Sequence, residues 1–189
     1  MKILIIDNYD SFTYNLYHLV KSVSNDWIDI FKNDQIELEE IKKYDKIILS
    51  PGPDLPSKSG KLLEIIKNYH AEKSILGVCL GHQAIAESFG SQLVNTEMVF
   101  HGVDSIIQVI DNNERIFNDL PNRIKVGRYH SWVVDSNCLS PDLKITAITD
   151  NHIIMAISHQ KYDVKGVQFH PESYMTEFGT EMMSNWLKY

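Results

Sequence analysis

Two residues able to act as nucleophile and base, Cys79 and His170, stand far apart in this 189-residue chain. Cys79 lies within Gly77-Val78-Cys79-Leu80-Gly81. Before it, Ser74 to Val78 reads as a short buried strand; after it, a helix is predicted over Gln83 to Phe89, ended by Gly90. A reactive residue between two glycines, at the junction of strand and helix, is the pattern of a nucleophile elbow. The glycines have a steric reason: a side chain held up at the end of a strand needs a strained backbone, and bulky neighbours would clash there. At a helix N-terminus the thiol meets unpaired N–H groups and a dipole that favour the thiolate. The Leu80 N–H would point at an oxygen on the carbon under attack. An isolated cysteine is more often a small buried hydrophobe, but the two glycines and the flanking elements favour the nucleophile.

His170 follows a strand-like run in Gly166-Val167-Gln168-Phe169-His170-Pro171-Glu172, and so should emerge at an edge of the sheet. In extended backbone, positions i and i+2 face the same way, which would set Glu172 beside the imidazole. A carboxylate there fixes the tautomer and stabilises the imidazolium. In Pro51-Gly52-Pro53 only Gly52 carries a backbone N–H, so the rigid loop presents one donor. With the Leu80 N–H it would make an oxyanion hole; a merely structural turn is the plainer alternative. Gln83, one helical turn beyond Cys79, is placed to hydrogen-bond a substrate amide or carboxylate. Cys79 and His82 look like a fragment of a metal site, but no second pair completes it, so no metal is expected.

The elements that must position these residues alternate. Strands are predicted at Lys2 to Ile6, Trp27 to Phe31, Lys46 to Leu49 and Ser74 to Val78. Helices fall between them: one capped by Asp10 or Ser11 and running through Leu16, Leu19, Val20 and Val23, one over Glu37 to Lys43, and one over Gly60 to Tyr69. This order predicts an α/β, doubly wound, mostly parallel central sheet with helices on both faces. Its site belongs at the carboxyl ends of the strands, where both the proline loop and the elbow fall. Beyond Gly90 the chain turns strand-rich, with runs at Gln92 to Val94, Asp104 to Ile110, Ile124 to Val126, Trp132 to Val134, Leu143 to Ile148, Ile153 to Ser158 and Val164 to Phe169. A closing helix is predicted over Met175 to Trp186. With no repeat and no linker, residues 1–189 read as a single domain.

Composition narrows the task. Hydrophobic residues make up 43% and the formal charge is -7, against nucleic acid or an anionic membrane as the main partner. Two cysteines, Cys79 and Cys138, build no disulfide framework, so a reducing, cytoplasmic setting is expected. The opening KILIID is too short and too soon interrupted by Asp7 to be a signal peptide, and no run reaches membrane-spanning length.

Taken together, the motifs resemble those of the class I, triad-type glutamine amidotransferases over essentially the whole chain, a likeness that implies a flavodoxin-like fold. Ser50-Pro51-Gly52-Pro53-Asp54-Leu55-Pro56, Gly77-Val78-Cys79-Leu80-Gly81-His82-Gln83 and Gln168-Phe169-His170-Pro171-Glu172 stand in that family's order. The resemblance implies a catalytic triad of Cys79, His170 and Glu172 and an oxyanion hole at Gly52 and Leu80. It also implies that Gly52, Leu80, Gln83, Ser131 and Trp132 hold L-glutamine. Asp7-Asn8-Tyr9-Asp10-Ser11-Phe12-Thr13-Tyr14-Asn15-Leu16, His101-Gly102 and Arg128-Tyr129-His130-Ser131 are similar to the small subunits (component II) of anthranilate synthase and 4-amino-4-deoxychorismate synthase. Val103 departs from that pattern where many members have lysine, and Trp132 where many have leucine. The narrower likeness implies a glutaminase that delivers ammonia to a separate, large chorismate-binding synthase subunit (component I). Mg²⁺ is then expected in that partner, and no cofactor in this chain. Two alternatives stay open: the same chemistry serving another acceptor, such as a nucleotide or carbamoyl phosphate synthetase, and a catalytically silent regulatory module of the same fold.

Overall fold

Apolar runs without alternation become the interior strands, because a parallel strand is covered on both faces. The computed structural model describes residues 1–96 and 100–188. In its first half β1 (Lys2–Asp7), β2 (Trp27–Lys32), β3 (Lys46–Leu49) and β4 (Ser74–Val78) alternate with α1 (Thr13–Val23), α2 (Leu38–Ile41), α3 (Leu62–Tyr69) and α4 (Leu80–Ser88). The second half supplies β5 (Leu93–Asn95), β6 (Val103–Val109), β7 (Arg123–Arg128), β8 (Trp132–Val134), β9 (Leu143–Thr149), β10 (Ile154–His159) and β11 (Val164–Val167), then α5 (Gly179–Leu187).

Among the described residues the main sheet runs β2-β1-β3-β4-β11-β10-β9-β6-β7. The first five strands pair in parallel and the rest are antiparallel. That parallel half has the flavodoxin-like order, continued by an antiparallel wing. β5 and β8 form a separate small ribbon.

Period-two alternation divides the core. Ile3, Ile5, Ile48, Leu76 and Val78 face one side, packed with Leu16 and Val20 of α1 and Met182, Met183 and Trp186 of α5. Leu4, Ile6, Ile47, Leu49 and Ile75 face the other, against Leu62, Ile65 and Ile66 of α3 and Ala84, Ile85 and Ala86 of α4. Helices therefore cover both faces of the parallel half. Leu49 is level with Gly77, and Gly77 with Gly166, so the loops leaving β3, β4 and β11 start side by side.

Several local expectations are corrected. α1 has Phe12 at its N-cap with no side-chain cap; the Asp10 carboxylate accepts from the Phe12 N–H instead. α4 starts at Leu80, three residues before Gln83, so that Cys79 is its N-cap residue. β11 stops at Val167, and it lies inside the sheet between β4 and β10. α5 starts at Gly179, not Met175, after Phe178 adopts φ 59°.

Gly81 seats α4 on β3: a Cβ there would lie 2.4 Å from the Leu49 carbonyl oxygen. In an open helix Gly→Ala would stabilise by about 1 kcal/mol. Here backbone must give way, and the balance reverses. Gly81→Ala is expected to lower the urea midpoint, by about 1–3 kcal/mol of stability, whereas a rise would show that α4 does not sit this close.

Candidate active site

The turn from β4 to α4 raises the thiol. Cys79 has φ 52° and ψ -99°, a conformation that non-glycine residues rarely hold. It is pinned from both sides: the Cys79 N–H donates to the Val167 carbonyl (2.8 Å), and the Cys79 carbonyl accepts from the Gln83 N–H (3.1 Å). Close approach sets the neighbours. A Cβ on Gly77 would be 2.4 Å from the Gly81 backbone. Leu80, as first residue of the helix, has an N–H with no intrahelical partner.

The histidine arrives from the neighbouring strand. Its N–H donates to the Gly127 carbonyl (3.1 Å), and its carbonyl accepts from Thr176 Oγ1 (2.6 Å). The Ser173 N–H donates back to the His170 carbonyl (3.2 Å), so Glu172 sits in a turn and not in extended backbone. The pairing forms nonetheless: His170 Nδ1 and Glu172 Oε1 are 2.7 Å apart, with both side chains buried. Phe12 and Tyr129 hold the ring edge-on at centroid distances of 5.3 and 4.8 Å. With Nδ1 bound to the carboxylate, Nε2 is left for the sulfur. Burial by itself would depress the His170 pKa; the Cys79 thiolate, by charge and hydrogen bond, and then Glu172 outweigh it and hold the imidazole well above its ordinary value.

Gly52, Pro53, Asp54, Cys79, Leu80 and Gln83 form one side of a cavity of about 270 Å³, closed by residues 129–132. Gly52 is fixed through Asn8, whose Nδ2 donates to the Ser50 carbonyl (2.8 Å) and whose N–H donates to Ser50 Oγ (2.9 Å). Gly52, Leu80, Gln83, Ser131 and Trp132 thus share the cavity wall with Cys79, and His170, paired with Glu172, lies near enough to the sulfur for Cys79 to raise its pKa.

Two carbonyls of the wall are already engaged. That of Ser131 accepts from the Thr96 N–H (2.7 Å) and Oγ1 (3.0 Å). That of Trp132 accepts from Gln83 Nε2 (2.8 Å) and faces His130 Nδ1 (3.0 Å). Arg128 Nε donates to His130 Nε2 (3.2 Å), so Nδ1 carries the His130 proton and gives it to Trp132. A bound molecule therefore meets Ser131 and Trp132 through other atoms. Asn8, Phe12, Tyr129 and Gln168 complete the site, although sequence reasoning does not single them out. Gln168 and Tyr129 stand inside the family motifs, but nothing in their spacing announces a role.

Among the described residues no group of three or more His, Cys, Asp or Glu is arranged to hold a metal ion. His82 is wholly enclosed, beside the space that Gly166 leaves by lacking a Cβ. What the arrangement can do is nucleophilic: a thiol on a strained elbow, an imidazole oriented by a carboxylate, and backbone N–H groups facing a small polar cavity suit acyl transfer.

Comparison with known proteins agrees with that chemistry. The model of the class-I glutamine amidotransferase family matches residues 4–189, and the chain belongs to this family. It is a glutamine amidotransferase. Among its relatives, aminodeoxychorismate synthase component 2 of Escherichia coli is 43% identical over 187 residues, covering 98% of each chain. Aminodeoxychorismate/anthranilate synthase component 2 of Bacillus subtilis is 43% identical over 188 residues, covering 98% of this chain and 95% of the relative. A solved structure from Thermoplasma acidophilum, described as a candidate GMP synthase component, superposes with a TM-score of 0.89 at 26% identity, covering 100% of this chain and 92% of its own.

Two buried histidines make the fold acid-sensitive. Burial lowers His82 to about 4, and burial with the charge of Arg128 lowers His130 to about 3. Both folded values lie below the ordinary 6.5, so between these limits the unfolded chain binds more protons and stability rises with pH. Lowering the pH from 6.5 towards 4 is expected to cost about 1 kcal/mol per pH unit for each ring. Urea midpoints across that range test it; a flat profile would contradict the burial of both rings.

Proposed function

We propose that the chain is the glutaminase subunit of a chorismate-aminating synthase. Its Cys79, His170 and Glu172 act as a triad on L-glutamine, and the ammonia passes to a larger chorismate-binding subunit. The observation that carries the chemistry is the Glu172-His170-Cys79 alignment beside the cavity. In the first step the Cys79 thiolate attacks the side-chain amide carbon, and the carbon–sulfur bond forms. The oxyanion is met by the N–H groups of Gly52 and Leu80. The His170 imidazolium gives its proton to the departing nitrogen, the carbon–nitrogen bond breaks, and ammonia leaves. A γ-glutamyl thioester remains. Water adds to it with His170 as base, glutamate leaves, and the thiolate returns. Each oxyanion donor contributes about 3 kcal/mol to lowering the barrier.

The choice of acceptor rests on the relatives. At 42–45% identity and near-complete coverage they carry names of component 2 of anthranilate and aminodeoxychorismate synthases. The GMP synthase neighbour, at 26%, supports the shared fold more than a shared acceptor. Which of the two chorismate products is made, or whether both are, is decided by the partner. Mg²⁺ belongs to that partner in this reading, and no residue of this chain is asked to hold it. Among the described residues no helix is long and apolar enough to cross a membrane.

Cys79→Ala should abolish glutamine-dependent synthesis by the assembled enzyme while added ammonia still supports it; continued glutamine hydrolysis would remove Cys79 from its role. Mixing the chain with each candidate large subunit should raise glutaminase turnover severalfold with the right one, as expected of two coupled sites. Product analysis then names the acceptor. Equal turnover with and without every chorismate-using partner would favour a different synthetase.

A further inference from the structure

One fully buried polar side chain beside the sulfur has no part in the steps above. Gln168 follows the last residue of β11 and is wholly enclosed. Its Nε2 donates to Cys79 Sγ at 3.7 Å, and its Oε1 accepts from Gln83 Nε2 at 3.2 Å. The same Gln83 nitrogen donates to the Trp132 carbonyl in the cavity wall. Because Gln83 supplies a donor, the Gln168 oxygen must face it, and the amide N–H₂ must face the sulfur. The Gln168 main chain is fixed as well, its N–H donating to the Met155 carbonyl (2.9 Å). With the carboxamide held at two points and the main chain at a third, the side chain does not turn away.

An enclosed N–H has no water to fall back on, so it favours whichever form of its neighbour accepts best. A thiolate accepts far better than a thiol. From this geometry we infer that Gln168 is a positioning residue: it holds the Cys79 sulfur in its anionic form and ties it, through Gln83, to the wall of the cavity. The inference rests on Cys79 being the nucleophile. It adds a neutral donor to the charged one from His170, and a mechanical link from the cavity wall to the attacking atom.

Several titratable groups lie near the sulfur. His170, backed by Glu172, comes from the segment after β11, and Tyr129 and His130 come from the segment after β7. Asp54 lies in the loop after β3, and His82 on α4. None of them changes when Gln168 is replaced, so a shift can be read as the lost N–H.

The test uses the full chain carrying Cys138→Ser, which leaves Cys79 as the only thiol. The rate of its alkylation by iodoacetamide is measured against pH. Gln168→Met keeps the bulk and removes the donor; its alkylation profile is expected to move to higher pH by about one unit. Its kcat for glutamine should fall about tenfold while KM changes little. Gln168→Glu keeps the oxygen facing Gln83 and puts a carboxylate where the donor was, so its profile should move further in the same direction. If Gln168→Met does not fold, Gln168→Leu, which also removes the donor without adding a charge, takes its place. A profile that superposes on the parent's, in a variant with an unchanged urea midpoint, overturns the inference. Failure of the nucleophile reading looks different: a Cys79→Ala chain would still release ammonia from glutamine, whatever Gln168 does.

Discussion

The tightest packing around the site is backbone against backbone. α4 can start directly at the end of β4 only because Gly77 and Gly81 carry no Cβ, leaving the first turn of the helix against its own strand and against Leu49 of β3. This approach makes Cys79 the hinge residue. Its φ of 52° costs about 1–3 kcal/mol in isolation, and the hydrogen bonds to Val167 and from Gln83 hold it there. The sulfur's position is thus fixed by main chain, before any side chain acts on it. Relaxing either glycine contact would swing the thiol away from the imidazole and the Leu80 N–H from the cavity together.

The second requirement is electrostatic. A histidine as buried as His170 is ordinarily neutral, as His82 and His130 are, both depressed by burial. His170 differs because a carboxylate lies on one nitrogen and a thiolate faces the other, and together they reverse the effect of burial. Three enclosed imidazoles in one region therefore carry two charge states: burial keeps His82 and His130 neutral, and partners charge His170 in spite of it. His130 is held neutral by burial and then by Arg128, whose guanidinium is stacked 3.5 Å from the Phe100 ring centroid and reaches its Nε2. A neutral His130 can give its one proton to the Trp132 carbonyl and keep the cavity wall rigid without drawing the thiolate from His170.

What can be read from sequence follows from the same physics. The ends of β3 and β4 are legible to the residue, since a strand covered on both faces is an uninterrupted apolar run. Cys79, Leu80, Gly52, Gln83, His170 and Glu172 all follow strand ends, and in the fold those ends are neighbours. The misses are places where tertiary contacts override local preference. Asp10 reads as a helix cap, but its carboxylate closes a turn onto Phe12 instead, which fits with the Phe12 ring lying against His170. Residues 175–178 continue the apolar spacing of α5, yet Met175 meets the Tyr129 hydroxyl and Thr176 carries the His170 carbonyl, so the helix waits until Gly179. Glu172 reaches His170 through a turn, a different path from the extended backbone that its spacing suggests. Gln168 has no periodicity or charge to mark it, and only the fold brings it to the sulfur.

Size alone would direct attention elsewhere. A cavity of about 630 Å³ lies between Lys67, His70, Ser88, Phe89, His159 and Tyr162, more than twice the volume of the one beside Cys79. The two share a helix: Leu80 and Gln83, at the start of α4, line the smaller, while Ser88, at its end, lines the larger. Helix starts present unpaired N–H groups and positive potential; helix ends present carbonyls and negative potential. A reaction that builds charge on oxygen next to a thiolate needs the first and is opposed by the second. Polarity of the helix, and not volume, decides which of the two hollows can do this chemistry.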